Sequence, residues 1–240
     1  MSAAKNKSRR GLLLGLAGLS AMAWGWQRFV HRAQPLRFAP IEGLPGWRRA
    51  ETVAVSGGSG PDAVFLGIGE AANPSLSPDR LCETLYANPG PGLPIAVFTD
   101  INCPNCKSLE AKLAARADQL SVTWLQLPLL GPGSEAAARV AIAAELLSGK
   151  SSEPPLALRG RGIGPVIRHH ASRVGLDPEI LNEEMDKPQV TARLRLHLGA
   201  AETLGIWGTP AMTIGQTLVM GDVASETLDA LIATDHPVCA

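Results

Sequence analysis

This chain of 240 residues has few aromatic side chains and no excess of charge of either sign. Aromatics make up 4% of it, with a single tyrosine, and 22 lysines and arginines are matched by 22 aspartates and glutamates. With few stacking side chains and no excess positive charge, the chain is not expected to bind nucleic acid. It also lacks internal repeats and sustained heptads, which excludes solenoids and coiled coils. Its length and its 45% hydrophobic content suit one well-buried domain with a short appendage.

The N-terminal segment, residues 1–32, is predicted to be a targeting segment. Residues 1–10 hold four basic residues and no acid, and residues 11–26 carry no charge. That pattern is typical of an export signal or a membrane anchor. Small residues at Ala21 and Ala23 would suit cleavage, whereas the tryptophans and arginines that come next would suit the interfacial end of a short anchor. Both alternatives put the rest of the chain outside the cytoplasm, because the positive end stays inside.

A lead-in segment, residues 33–90, separates the targeting segment from the predicted domain at 91–240. Proline and glycine are frequent in its first half, which predicts irregular structure over 33–62. A short strand is predicted over 63–68 and a helix over 77–87. The proline- and glycine-rich residues after that helix mark the start of the domain.

The domain is predicted to have an α/β fold. A strand, a helix and a second strand form a βαβ unit with a parallel pair. A mostly helical block follows at about 134–198, and then come a hairpin of two short strands and a final helix. The predicted bounds are 95–99, 104–119 and 122–127 for the βαβ unit, and 211–214 and 217–220 for the hairpin.

The sequence Cys103-Pro104-Asn105-Cys106 stands where the first strand of that unit ends and its helix begins. Backbone N–H groups at a helix N-terminus lack partners, and the helix dipole favours negative charge there. A thiolate at Cys103 is therefore stabilised, and the i, i+3 spacing brings Cys106 within disulfide reach. We expect Cys103 to be the more exposed nucleophile and Cys106 the resolving thiol, so that the pair can pass a disulfide on through a mixed disulfide.

Metal binding and simple cross-linking are the alternative uses of such a cysteine pair. A structural zinc needs four ligands, but the other two cysteines are isolated and His169-His170 are adjacent, so no metal site is expected. A module that delivers a metal would need a histidine, for which His197 and His236 are the candidates. A purely structural Cys103–Cys106 bridge would close too small a loop to contribute much stability.

Cys82 and Cys239 are the remaining cysteines. In an oxidising compartment an even number of cysteines favours pairing, and a bridge would tie the C-terminus to the segment before the domain. The alternative is two free thiols, one of them buried on a helix. The spacing does not decide between the two.

The stretch from Phe98 to Cys106, FTDINCPNC, resembles the active-site segment of the DsbA family of thiol–disulfide oxidoreductases, which often has the form F-x-D-x-x-C-P-x-C. Residues 205–210, GIWGTP, are similar to the family's loop in which a cis proline faces the cysteine pair. The helical block at 134–198 matches the family's helical insertion. The resemblance covers about residues 90–235, and it implies a thioredoxin-like fold with a helical insertion, preceded here by the signal or anchor segment.

The resemblance also implies a role for each matching residue. Cys103 attacks or is attacked, and Cys106 resolves the mixed disulfide. Pro210 packs against the pair and keeps backbone donors clear for the substrate chain. Asp100 either steers protons to Cys106 or caps the turn, with the structural role favoured. The implied substrate-binding residues are Thr209, Pro104 and Asn105.

The implied function is disulfide exchange with exported, cysteine-containing polypeptides in the periplasm, by a protein that is either secreted or tethered to the inner membrane. No cofactor or metal is required, because the cysteine pair is itself the redox couple, and a membrane partner would recycle it. The family's strongest oxidants have histidine at the position of Asn105, which carries no charge, so we expect a weaker oxidant. The alternatives are a periplasmic disulfide reductase or isomerase, and a non-catalytic binding or metal-delivery module.

Overall fold

A mixed β-sheet with helices on both faces is the scaffold of this protein in its computed structural model. The structure describes residues 36–51, 75–86, 90–131, 133–151, 153–237 and 239. The predicted targeting segment at 1–32 and the predicted strand at 63–68 lie outside these residues.

Six strands form the sheet within the described residues. They are β1 (Phe38–Pro40), β2 (Arg48–Ala50), β3 (Leu93–Thr99), β4 (Leu120–Gln126), β5 (Ala211–Ile214) and β6 (Thr217–Met220). Their order across the sheet is β1-β2-β6-β5-β3-β4. β3 and β4 run parallel, as the predicted βαβ unit requires, and β5 is antiparallel to both β3 and β6.

Seven α-helices accompany these strands in the described ranges. They are α1 (Pro78–Tyr86), α2 (Cys106–Ala114), α3 (Ser134–Ser148), α4 (Ile163–Val174), α5 (Pro178–Glu184), α6 (Pro188–Thr203) and α7 (Ser225–Ile232), with a 3₁₀ turn at Leu156–Leu158. Helices α3 to α6 form the predicted helical block. None of the helices described has the length and apolar character needed to cross a membrane.

Helix α2 is shorter than the predicted span of 104–119. Beyond Ala114 the chain tightens into turns, in which the Arg116 N–H donates to the Leu113 carbonyl at 2.9 Å and the Gln119 N–H to the Arg116 carbonyl at 2.9 Å. Such i→i+3 bonds are common where an α-helix ends. The helix therefore ends before the polar residues that lead into β4.

Successive side chains of β3 point to opposite faces of the sheet, and they belong to two separate layers of buried side chains. Ala96 and Phe98 pack with residues of α1 and the helical block, whereas Ile95 and Val97 pack with residues of α2 and α7. All four side chains are at most 1% exposed. β3 is therefore buried on both faces, as its continuous apolar run predicts.

The lead-in segment contributes strands β1 and β2 to the sheet, within residues 33–62, which the sequence predicts to be irregular. β2 pairs in parallel with β6, and β1 pairs antiparallel with β2. Trp47 is 1% exposed, and Arg48 donates from Nε to Thr217 Oγ1 at 2.9 Å. The prediction over 33–62 is wrong at these strands because three residues are too few to show a recognisable alternation.

The outer edge of β4 is covered by side chains. The Gln126 N–H donates to His197 Nδ1 at 3.1 Å, and the Trp124 N–H donates to Ser151 Oγ at 2.6 Å. Burial lowers the pKa of His197 from 6.5 to about 3, because a charged imidazole would be desolvated there. A protonated Nδ1 would also lose its ability to accept the Gln126 hydrogen bond. Neutral His197 therefore satisfies one edge amide and prevents pairing with another strand.

Stability is expected to fall as the pH is lowered from 6.5 towards 3. In this window the unfolded chain binds a proton at the His197 imidazole and the folded chain does not, so each pH unit costs about 1.4 kcal/mol at most. His197→Asn keeps an acceptor near the Nδ1 position but cannot titrate, so its free energy of unfolding should depend less steeply on pH. Urea unfolding of both proteins at two pH values within this window tests the effect, and an equal loss of stability in both would contradict it.

Candidate active site

A disulfide joins Cys103 and Cys106 in the turn between β3 and α2. The sulfurs are 2.07 Å apart and the Cα atoms 5.4 Å apart. Cys103 is 2% exposed and Cys106 is 3% exposed, so the prediction of a more exposed Cys103 is wrong for this oxidised state. Pro104 is exposed and Asn105 is half-buried, so the turn presents these two intervening residues to solvent.

The first amide of α2 contacts the sulfur of Cys103. The Cys106 N–H donates to Cys103 Sγ at 3.0 Å. Because α2 begins at Cys106, this amide has no acceptor within the helix, and the positive end of the helix dipole lies beside the sulfur. The arrangement favours negative charge on the sulfur of Cys103 over that of Cys106.

Asp100 holds the turn in place through both of its carboxylate oxygens. Oδ1 accepts from the Asn102 N–H at 2.7 Å and from the Ser134 hydroxyl at 2.8 Å. Oδ2 accepts from the N–H groups of Leu129 and Leu130 at 2.7 and 2.9 Å. Asp100 is 2% exposed, so these four donors replace water around a buried carboxylate. They connect the cysteine turn to the segment after β4 and to the first residue of α3.

The peptide bond between Thr209 and Pro210 is cis. Ala211, the next residue, pairs with Phe98 in the antiparallel ladder of β5 and β3. Pro210 therefore lies at the end of the sheet where β3 leads into the cysteine turn. The Gly221 N–H donates to the Pro210 carbonyl at 2.8 Å, whereas the backbone of Thr209 makes no hydrogen bond within the part of the chain that the structure describes.

Comparison with known proteins agrees with this geometry. Residues 162–233 match the sequence model of the DSBA-like thioredoxin domain. A thioredoxin-like oxidoreductase from Silicibacter pomeroyi DSS-3 is 32% identical, over 62% of this chain and 94% of that one, with a TM-score of 0.52. The chain belongs to the DsbA-like thioredoxin-fold family. It is a thiol–disulfide oxidoreductase, and its fold is the predicted thioredoxin-like α/β fold with a helical insertion.

Two further solved structures resemble this DsbA-like protein. The thiol–disulfide exchange protein α-DsbA2 from Wolbachia pipientis shares the fold at 19% identity, over 62% of this chain and 89% of that one, with a TM-score of 0.53. A periplasmic thioredoxin-like protein from Salmonella enterica serovar Typhimurium is 26% identical, over 63% and 93% of the two chains, with a TM-score of 0.50. No curated protein matches the chain.

A pair of carboxyl groups beside α2 of this DsbA-like protein was not identified from the sequence. Glu110 lies one helical turn after Cys106, and Glu153 follows α3 in the chain. Burial, followed by the neighbouring carboxyl of Glu153, raises the pKa of Glu110 to about 8, although Lys107 and Arg173 act in the opposite direction. The raised pKa favours the protonated form of Glu110. The one sequence signal for Glu110 is its spacing of four residues from Cys106, because Glu153 is distant in sequence.

The histidines considered as metal ligands have other partners. His197 accepts a hydrogen bond from the backbone N–H of Gln126 in β4. His236 Nδ1 lies 2.9 Å from Thr217 Oγ1, and its Nε2 lies 2.6 Å from the Leu231 carbonyl oxygen. Among the described residues, no group of three or more histidine, cysteine, aspartate or glutamate side chains is placed to hold a metal ion.

Cys82 and Cys239 are joined in a second disulfide of the structure. Their Cα atoms are 5.6 Å apart, and 157 positions separate them in sequence. The bond links α1 to the C-terminal segment and lies outside the cysteine turn.

Proposed function

We propose that this DsbA-like protein exchanges disulfides with exported polypeptides outside the cytoplasm, through the Cys103–Cys106 pair. The observation that carries the proposal is the 3.0 Å contact between the Cys106 N–H and Cys103 Sγ at the start of α2. A thiolate stabilised in this way is both available as a nucleophile and a good leaving group. The contact therefore supports Cys103 as the sulfur that exchanges with the client and Cys106 as the resolving sulfur.

In the oxidising direction, the proposed reaction begins with attack of a client thiolate on Cys103 Sγ. The Cys103–Cys106 bond breaks, its electron pair leaves on Cys106, and a disulfide forms between the client and Cys103. A second client thiolate then attacks the client sulfur of this mixed disulfide, and Cys103 leaves as a thiolate. The client has lost two electrons and the cysteine pair has gained them, so the exchange needs no cofactor.

The loop before β5 would hold the client chain. The backbone N–H and carbonyl of Thr209 have no partner within the described ranges, and Pro210 lies at the end of the sheet that carries the cysteines. Thr209 can therefore pair with an extended client as an added strand. Pro104 and Asn105 would contact the same client from the turn. We assign Asp100 the structural role, because four donors already occupy its carboxylate.

The proposed location is the periplasm. The basic residues at 1–10 and the uncharged stretch at 11–26 favour export, whether as a cleaved signal or as an anchor. The similar Salmonella protein is described as periplasmic. Continued turnover requires that the cysteine pair be restored after each exchange, for which we propose a membrane redox partner.

The reduction potential of the Cys103–Cys106 couple tests the proposal. The purified protein is equilibrated in glutathione buffers and its free thiols are then alkylated and counted. Because Asn105 carries no charge, we expect a value below about −120 mV, the potential of a strong disulfide donor, and above about −270 mV, that of thioredoxin. A value near about −270 mV would instead indicate that the protein reduces or isomerises client disulfides. A pair that does not titrate would overturn redox exchange altogether.

A further inference from the structure

A cavity of about 330 Å³ lies beside the cysteine turn, on the side of the helical insertion. We call it the insertion pocket. Its volume is at the lower end of the roughly 300–1,000 Å³ range of ligand sites, which suits one side chain better than a large cofactor. The side chains that line it are mostly apolar, and they are Ile101, Asn102, Ala137, Leu158, Ile163 and Val166.

The pocket borders the segment that leads directly into Cys103. Ile101 and Asn102 form part of its wall and immediately precede that cysteine. Asn102 is held in position, because its Nδ2 donates to Ser134 Oγ at 3.0 Å and its own N–H donates to Asp100. Neither Thr209 nor Pro210 lines the pocket. It is therefore a second surface, bordering the two residues that precede Cys103 and separate from the loop proposed to pair with the client backbone.

The rim of the pocket is positively charged. Arg159 and Arg161 are exposed and flank Gly160, which belongs to the wall. Neither arginine forms an ion pair with any residue that the structure describes. The N-terminus of α4, at Ile163, contributes the positive end of its dipole to the same wall. No acidic side chain lines the pocket, so its field favours a negatively charged group nearby.

We propose that the insertion pocket receives an apolar side chain that stands next to the reacting cysteine of a client polypeptide. The arginines at its rim would favour clients that carry an acidic residue beside that apolar one. The inference rests on the proposed function, because it takes the client cysteine to be bonded to Cys103. It adds a basis for client selection that the cysteine chemistry alone does not supply.

The test measures rate constants for oxidation of reduced peptides by the oxidised protein. One dithiol peptide carries leucine and glutamate beside its first cysteine, and a matched peptide carries glycine and lysine there. Reduced glutathione serves as a thiol that has no apolar side chain beside its cysteine. We expect the leucine–glutamate peptide to react about tenfold faster than the glycine–lysine peptide, a factor typical of filling an apolar pocket.

Two pairs of matched variants assign this preference to the pocket. Ala137→Leu fills the cavity, whereas Ala136→Leu makes the same change at the neighbouring position, which does not line it. Arg161→Glu reverses a charge at the rim, whereas Arg195→Glu reverses an exposed charge on α6. Ala137→Leu should remove most of the peptide preference and leave the glutathione rate unchanged. Arg161→Glu should reduce the preference, because only the contribution of the acidic residue is lost. The two control variants should retain the preference.

The outcomes separate the pocket from the exchange chemistry. If the unaltered protein oxidises glutathione but does not distinguish the peptides, the inference is wrong and the proposed function stands. If it reacts with neither glutathione nor peptide, the proposed function itself fails. If Ala137→Leu does not fold, the peptide preference of the unaltered protein still tests the pocket, because the proposal fails if the two peptides react equally fast. A preference that Arg161→Glu leaves unchanged would refute the role of the rim.

Discussion

Replacement of Cys103 by serine is expected to abolish disulfide exchange. The serine hydroxyl is not ionised at neutral pH, and no disulfide can then form with Cys106, so both the nucleophile and the store of oxidising equivalents are lost. We expect the exchange rate with a dithiol peptide to fall to the rate of the uncatalysed reaction. The measurement is peptide oxidation followed by alkylation of the remaining thiols, with circular dichroism to show that the variant is folded.

The matched variant Cys106→Ser separates the roles of the two sulfurs. It retains Cys103 and the helix amide 3.0 Å from its sulfur. A client disulfide can still be attacked, but the resulting mixed disulfide has no resolving thiol, so it should accumulate at Cys103. If Cys103→Ser retains exchange, or if Cys106→Ser traps no client, the assigned roles are wrong.

The segment around the cysteines was predictable because its signals are local. A continuous apolar run, a turn with two cysteines and an amphipathic stretch follow one another from 93 to 126, and each indicates its element within a few residues. The structure has β3, α2 and β4 in that order, with the parallel pair that the order requires. The main error is at the C-terminal end of α2, where the polar sequence fits a helix and a series of turns equally well.

The other features depend on contacts between residues that are distant in sequence. β2 joins the sheet through pairing with β6, in which Arg48 lies opposite Thr217. Glu110 acquires its raised pKa from burial and from Glu153, more than forty positions away. No local pattern reports such a contact. The resemblance to the DsbA family does not supply the pairing of β2 with β6 either, since the lead-in has no counterpart there.

The C-terminal segment is attached to the end of the sheet opposite the cysteine turn. The Gln216 N–H donates to the Pro237 carbonyl at 2.7 Å, and a Cβ added at Gly215 would lie 2.4 Å from that carbonyl oxygen, so only glycine fits this approach. Arg48 donates to the Asp235 carbonyl at 2.7 Å. The Cys82–Cys239 disulfide fixes the same segment to α1. Strand β2, helix α1 and the β5–β6 hairpin thus each contact a described residue near the C-terminus: Asp235, Cys239 and Pro237 respectively.

Replacement of both Cys82 and Cys239 by serine is expected to lower the free energy of unfolding by about 2–5 kcal/mol. The bond closes a loop of 157 positions, and the entropy that so long a loop removes from the unfolded chain accounts for about 5 kcal/mol at the upper limit. Urea unfolding under oxidising conditions measures the difference. The exchange rate of this variant, measured below its unfolding transition, should equal that of the unaltered protein.

The double variant Cys103→Ser/Cys106→Ser is the matched control, because it removes the other disulfide by the same substitutions. Its loop spans only 3 positions, so the entropic contribution to stability is much smaller, while exchange should be lost completely. The two double variants should therefore show opposite effects: one loses stability and keeps exchange, and the other loses exchange with a smaller change in stability. Loss of exchange in the folded Cys82→Ser/Cys239→Ser protein would show that the distal bridge takes part in the chemistry, and it would contradict the division of roles between the two disulfides.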